Sequence, residues 1–362
     1  MTRALVALSA LLILAAAPPQ SPQPKAAAPA QTAPAGPSLL HPDEVHLKNL
    51  RQLTFGGQNA EAYWSPDGKQ IIYQWAGEGV PCDQQFILEL ATGKSTRVSN
   101  GLGKTTCGYF LDGGSRILYA STYMAAPECP PPPDYSKGYV WAMYKGFDLF
   151  TAKVDGTDIK RLTDTPGYDA EATLSPDGKS IVFTSLRDGD LEIYTMNTDG
   201  TNVKRLTHET GYDGGPFFSP DGRRIVYRRD SLETEEDVAR SRQLLADGLY
   251  SPKTLEIWVM DRDGSHKKPV TNLGASSFGP YFHRDGKRII FASNHPDPQG
   301  RNFDLYLIGD DGSGLERITS DPSFDGFPMF SPDGKRLVFA SNRGGKVRGE
   351  TNIFVADWVE KP

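Results

Sequence analysis

The sequence predicts an all-β fold, a six-bladed β-propeller of four-stranded antiparallel blades whose last blade is closed by the amino-terminal strand. Ser-Pro-Asp-Gly recurs at Ser65, Ser175, Ser219 and Ser331, with degenerate copies at Leu111 and His283. The intervals are nearly constant, apart from two longer ones. After each copy come two aliphatic residues and an aromatic one: Ile71-Ile72-Tyr73, Ile117-Leu118-Tyr119, Ile181-Val182-Phe183, Ile225-Val226-Tyr227, Ile289-Ile290-Phe291 and Leu337-Val338-Phe339. The last unit stops after its third strand, near Trp358, while Arg51-Gln52-Leu53-Thr54, ahead of the first turn, has the fourth-strand pattern. Four antiparallel strands repeated at this period are the mark of a propeller, and a borrowed closing strand removes the exposed edges of an open array.

From the start, Arg3 precedes an apolar run, Ala4 to Ala17, shorter than the ~20 residues a membrane helix needs. A basic start, a short apolar stretch and small residues at Ala15 to Ala17 predict a secretory signal peptide over residues 1–17. No Cys follows the run, so lipid attachment is not expected. Residues 18–48, rich in Pro and Ala, read as a tether that builds no core, and residues 49–362 as the propeller. Within each unit a short strand such as Pro328-Met329-Phe330 precedes the turn. The aliphatic-aliphatic-aromatic strand is buried on both faces. A third strand such as Leu191-Glu192-Ile193-Tyr194 runs to an Asp-Gly turn, and a fourth such as Arg205-Leu206-Thr207 completes the unit.

Composition agrees. Gly 37 and Pro 28 serve largely as turn punctuation, and 38% hydrophobic residues suffice for a core. Lys plus Arg total 39 against 45 Asp plus Glu, a net charge of −6, which argues against nucleic acid as a partner.

Ser-Pro-Asp-Gly-Lys, the aliphatic-aliphatic-aromatic strand and Arg-Leu-Thr, recurring in register over roughly residues 49–360, resemble the TolB-like β-propeller repeat. The resemblance implies a periplasmic, non-enzymatic protein that binds protein partners through its propeller. The α/β domain that precedes the propeller in TolB has no counterpart in this sequence, so the fold transfers and the Tol–Pal role does not. Prolyl-oligopeptidase-like enzymes carry similar propellers ahead of a hydrolase domain, and only four residues follow Trp358.

In a propeller the turns between strands one and two and between three and four share one face. The two-to-three connections share the other with the blade-to-blade steps. All large length variation falls in two-to-three connections, and variable loops on a constant scaffold are where binding resides. The first insert, about Thr122 to Gly146, holds Cys129, Pro130 to Pro133 and the aromatics Tyr135, Tyr139, Trp141 and Tyr144. These either form a recognition platform for peptide or glycan or pack the loop onto its own blade. The second, Asp230 to Lys253, begins with a capping pattern at Thr234 and continues as a short helix ending at Gly248. Both inserts are expected to rise from one face and frame a cleft over the channel mouth.

Acids enter the first strands near the axis. Asp169, Asp213 and Asp325 share one repeat position, and two residues on, Glu61 and Glu171 share another with Cys107, Gly215, Gly279 and Phe327. Such oxygen ligands either hold Ca²⁺ at the channel mouth or cap their own turns; no other cofactor and no dedicated metal site is expected. Three cysteines in an oxidising compartment imply one disulfide, with Cys82–Cys107 favoured because both lie at the junction of blades one and two.

No catalytic residues are assigned. Gly103-Lys104-Thr105 lacks the earlier Gly of a phosphate loop, where Val98 stands. There is no Gly-x-Ser-x-Gly elbow or His-Glu-x-x-His helix, and six histidines scatter over different layers. The expectation is a monomeric, periplasmic or secreted binding module, non-catalytic and with no membrane span in the mature chain. It engages an envelope or extracellular protein, peptide or glycan through the insert-bearing face. The alternative is a metal-assisted lyase or hydrolase using the acidic channel mouth.

Overall fold

The computed structural model describes residues 39–360. The expected signal peptide and most of the expected tether lie outside the described residues.

Each Ser-Pro-Asp-Gly builds its turn from its own side chains. Ser65 Oγ donates to Asp67 Oδ1 (2.7 Å), which also accepts the Lys69 N–H (3.0 Å), while Gln70 N–H donates back to Ser65 Oγ (2.9 Å). Gly68 sits at φ +67, where a residue with a Cβ is disfavoured. The same bonds recur at Ser175, Ser219 and Ser331. The strand leaving each turn lies inside its sheet with a neighbouring blade on each face. Ile71, Ile72, Ile117, Leu118, Ile181 and Val182 are all fully buried as a result.

Among the described residues there are six four-stranded sheets and one two-stranded sheet. Within each blade the strands pair antiparallel in chain order from the axis outward. Blade six is the exception in connectivity: Asp325–Phe330, Arg336–Ser341 and Asn352–Trp358 are completed by Leu47–Gln52. Arg51 faces Val355 and Gln52 faces Phe354, so the amino-terminal strand closes the ring as predicted.

The folded part extends further towards the amino terminus than the sequence implied. Leu39 and Leu40 pack against the blade-six core. Glu44 is buried against Arg343, and His46 stacks on Trp358 at 4.8 Å. The tether boundary at residue 48 is therefore too late. The buried Glu44–Arg343 ion pair, invisible as a pattern, and these apolar and ring contacts together hold the segment down.

Thr234 caps the helix Glu235–Ala246 by accepting the Asp237 N–H (3.1 Å), and Gly248 follows at φ +72, as the capping pattern predicts. The two inserts do more than stand side by side. Trp141–Ala142 of the first pairs antiparallel with Leu249–Tyr250 of the second. The Met143 N–H donates to Gly248 O (2.8 Å) and Lys137 pairs with Asp247 (2.6 Å). The inserts thus form a clasp from blade two to blade four, arching past blade three.

Candidate functional site

Pairing slips in the innermost strand of every blade, at the same repeat position. There a bulge residue takes positive φ: Glu61 (50), Cys107 (52), Glu171 (55), Gly215 (60), Gly279 (60) and Phe327 (54). Holding a residue with a Cβ in this region costs about 1–2 kcal/mol. Four of the six positions nonetheless keep a side chain, and all six line one recess on the axis at the insert-bearing face.

Below the recess the axis is filled. Tyr63 meets Phe217 of the opposite blade with ring centroids 5.6 Å apart and Tyr109 at 5.9 Å, and Phe217 meets Tyr281 at 5.4 Å. This aromatic plug separates the recess from an apolar funnel of about 300 Å³ at the opposite face, ringed by Pro66, Pro176, Pro220 and Pro332. The funnel was not anticipated; proline in each of the four turns was its signal.

The recess has one neutralised and one adjustable acid. Glu171 accepts hydrogen bonds from Tyr212 Oη (2.7 Å), Thr184 Oγ1 (2.7 Å) and the Gly215 N–H (2.9 Å), and it is ion-paired with Arg228. That guanidinium lies over the rings of both Trp141, 5.3 Å away, and Tyr212, 5.1 Å away, so the first insert reaches the site directly. Burial pushes the Glu61 carboxyl up to about 7, and repulsion from Glu171 adds to this; the Cys107 thiol and Arg228 oppose the shift. Burial also holds the Cys107 thiol well above its usual range, with Glu61 and Glu171 adding to the effect. The free space among these groups is about 30 Å³, room for a water molecule rather than a metabolite.

Of the five acids expected at the channel mouth, only Glu61 and Glu171 reach it. Asp169, Asp213 and Asp325 are buried within and between the blades. Two residues apart in a regular strand share a face, but the bulge between them breaks that alternation. Nor do these aspartates cap their own turns. Asp169 pairs with Arg187 (3.1 Å) and Asp325 with Arg343 (2.5 Å), while Asp213 lies 3.8 Å from Arg229. Glycine at two of the six bulge positions was the sequence signal for the break. Arg228 and Tyr212, which complete the recess, carried none.

The disulfide also differs from expectation. Cys82 is bonded to Cys129, with Cα atoms 5.9 Å apart, and Cys107 is a buried free thiol. The bulge turns Cys107 to the axis, and the bond instead ties the first insert to blade one. The four insert aromatics divide between the two readings. Tyr144 donates to Pro131 O (2.7 Å) and Trp141 packs on Arg228, Tyr212 and Tyr250, whereas Tyr135 and Tyr139 are 65% and 68% exposed.

Fold and site together define a six-bladed β-propeller with a plugged axis and a clasp over one mouth. The family model for the Tricorn protease N-terminal β-propeller domain matches residues 132–255, and that for the TolB β-propeller domain matches residues 239–356. The Tol-Pal system protein TolB of Bordetella pertussis is 31% identical over 130 residues, 36% of this chain and 25% of that protein. The chain thus spans about a quarter of the length of the curated relatives it matches. Among solved structures, putative TolB from Agrobacterium tumefaciens is similar with a TM-score of 0.56 at 21% identity, covering 86% of this chain and 94% of that one. A gluconolactonase from Xanthomonas campestris reaches 0.57 at 12% identity, covering 87% and 91%. At these identities the likeness shows the fold alone. Over the matched residues the repeats of this chain are similar to those of TolB β-propeller domains.

Proposed function

We propose that this protein is an exported binding module of the cell envelope, engaging a protein, peptide or glycan through the insert-bearing face without catalysing a reaction. The observation that carries the proposal is the pair of exposed tyrosines, Tyr135 and Tyr139, on a clasp that is anchored at both ends. Rigid aromatic surface beside a stiff proline run gives contact area at little entropic cost. The buried thiol and the water-sized recess favour surface binding over turnover of a metabolite. Export is supported by the signal-like amino terminus and by the Tol-Pal system relatives.

The test is capture from envelope extract with the full chain and with a Tyr135→Ser/Tyr139→Ser variant. A partner retained by the native protein and lost by a variant of unchanged melting temperature supports the proposal; equal retention by both sinks it. One observation favours the enzymatic alternative, the Glu61 carboxyl poised near neutrality in the recess. A hydrolase or lyase activity abolished by Glu171→Gln would put that reading first.

A further inference from the structure

Between blades three and four, away from the axial recess, the carboxylates of Glu192, Glu209 and Asp213 bring oxygens within 4.8 Å of one another. Glu192 opens the strand Glu192–Asn197, Asp213 lies in the innermost strand Gly211–Phe218, and Glu209 is in the connection between the two blades. Glu192 is fully buried and Asp213 is 1% exposed. Neither oxygen of Asp213 accepts a hydrogen bond, nor does Oε2 of Glu192. Burial, with Glu192 and Glu209 adding to it, pushes the Asp213 carboxyl well above the usual carboxylate range against the pull of Arg229, and the Thr207 hydroxyl forms no bond of normal geometry to it but accepts the Ile193 N–H (2.8 Å).

The cause is a reversal in the sequence. In blades three and six the aspartate faces a serine across the strand pair, Ser185 or Ser341, and an arginine two residues on, Arg187 or Arg343, completes its coordination. Blade four has Arg229 opposite Asp213 and Ser231 two residues on. Arg229 lies over the Trp258 ring, donates through Nε to Ser231 Oγ (3.1 Å), and stays 3.8 Å from both Asp213 and Glu209. The other nearby cations are already placed on outer oxygens: Arg205 on Glu192 Oε1 (2.6 Å) and Lys267 on Glu209 Oε1 (3.2 Å). A buried carboxylate with both oxygens bare is costly unless something binds it.

We infer that Asp213, Glu192 and Glu209 form a binding site for one hard divalent cation, Ca²⁺ by its ligand preference. The donor set is all oxygen, with no sulfur or imidazole, which selects Ca²⁺ and its hard relatives over zinc or copper. Both oxygens of Asp213 and Oε2 of Glu192 are bare, Glu209 Oε2 accepts the His208 N–H (3.1 Å) with a second lone pair to spare, and Arg205 and Lys267 fix the orientation of Glu192 and Glu209 from behind. The cation takes the place that arginine holds in the sister blades.

The experiment is titration of the full chain with Ca²⁺, read by melting temperature, and with Tb³⁺, read by luminescence sensitised through Trp258. Expected are one ion per chain, a melting temperature raised by Ca²⁺ and lowered by chelator, and binding weakened roughly tenfold or more by Asp213→Asn and by Glu209→Gln. Glu171→Gln, on the axis, should leave binding intact. Absence of any Ca²⁺ or Tb³⁺ response at concentrations on the order of millimolar overturns the inference, as does unchanged affinity in the two variants. Loss of binding in Glu171→Gln alone would overturn it by moving the ion to the axis. Should Asp213→Asn fail to fold, the more exposed Glu209→Gln decides by the same measurements.

Discussion

Blade six and blade four carry aspartate at the same point of the repeat and surround it in opposite ways. Asp325 accepts from Arg343 (2.5 Å), whose guanidinium also grips Glu44 (2.9 Å), and all three side chains are almost wholly buried. Asp213 has its arginine at 3.8 Å and no hydrogen bond on either oxygen. A two-residue exchange of Ser and Arg separates the two. It shows that one repeat position can be paired with arginine in one blade and left without a hydrogen bond in another.

The largest effect should come from Arg343→Met. It strands two buried carboxylates and should cost about 3–5 kcal/mol in urea unfolding, whereas Arg229→Met in blade four should cost less than half as much. A loss of equal size in both would erase the contrast. Next, Asp325→Asn is expected to cost about 2 kcal/mol by weakening a charged hydrogen bond. Asp213→Asn, measured in chelator, should be neutral or stabilising, because it removes an uncompensated charge; destabilisation as large as that of Asp325→Asn would show that Asp213 is paired in solution.

Smaller effects follow from pH, with opposite signs at the two faces. Glu61 titrates near 7 in the folded chain against 4.5 for an ordinary glutamate. Its contribution is therefore present below about 4.5 and lost as pH rises through 7. Glu61→Gln should flatten that decline and stabilise the chain at pH 8 by about 1–2 kcal/mol, a figure reduced from the full shift because the side chain is open to the recess. A decline of the same steepness in Glu61→Gln would disprove the assignment. Asp177, in the turn after Ser175, is held at about 2, chiefly by the Ser175 hydrogen bond. Its contribution is present above about 3.8 and is lost as pH falls towards 2. Being exposed, it should give the smallest effect: Asp177→Asn should remove only a slight step in the acid limb of the melting curve.

What the sequence disclosed was whatever repeats locally. The Ser-Pro-Asp-Gly turns, the buried aliphatic pairs and the cap at Thr234 each depend on residues a few positions apart, and the closing strand, expected at Arg51–Thr54 and found at Leu47–Gln52, was legible because the last repeat lacks its fourth strand. The site was half legible. The column containing Glu61 and Glu171 was found, but the bulge that turns it to the axis, and turns Asp169, Asp213 and Asp325 away, is a property of φ. Only Gly215 and Gly279 hinted at it. Long-range events left no trace: Cys129 reaching Cys82, Glu44 reaching Arg343, and two-residue strands from different inserts finding each other.

That last pairing bears on how the molecule is built and how it resists force. Lys137 and Asp247 are 110 positions apart, and the whole of blade three is made between them. Closing so long a segment gains little until the intervening blade is in place, so the clasp should lock after the barrel of blades beneath it. Once locked, it offers a second mechanical path from blade two to blade four. A pull on a partner held by Tyr135 and Tyr139 would spread into two blades at once, sparing the edge of blade three from peeling.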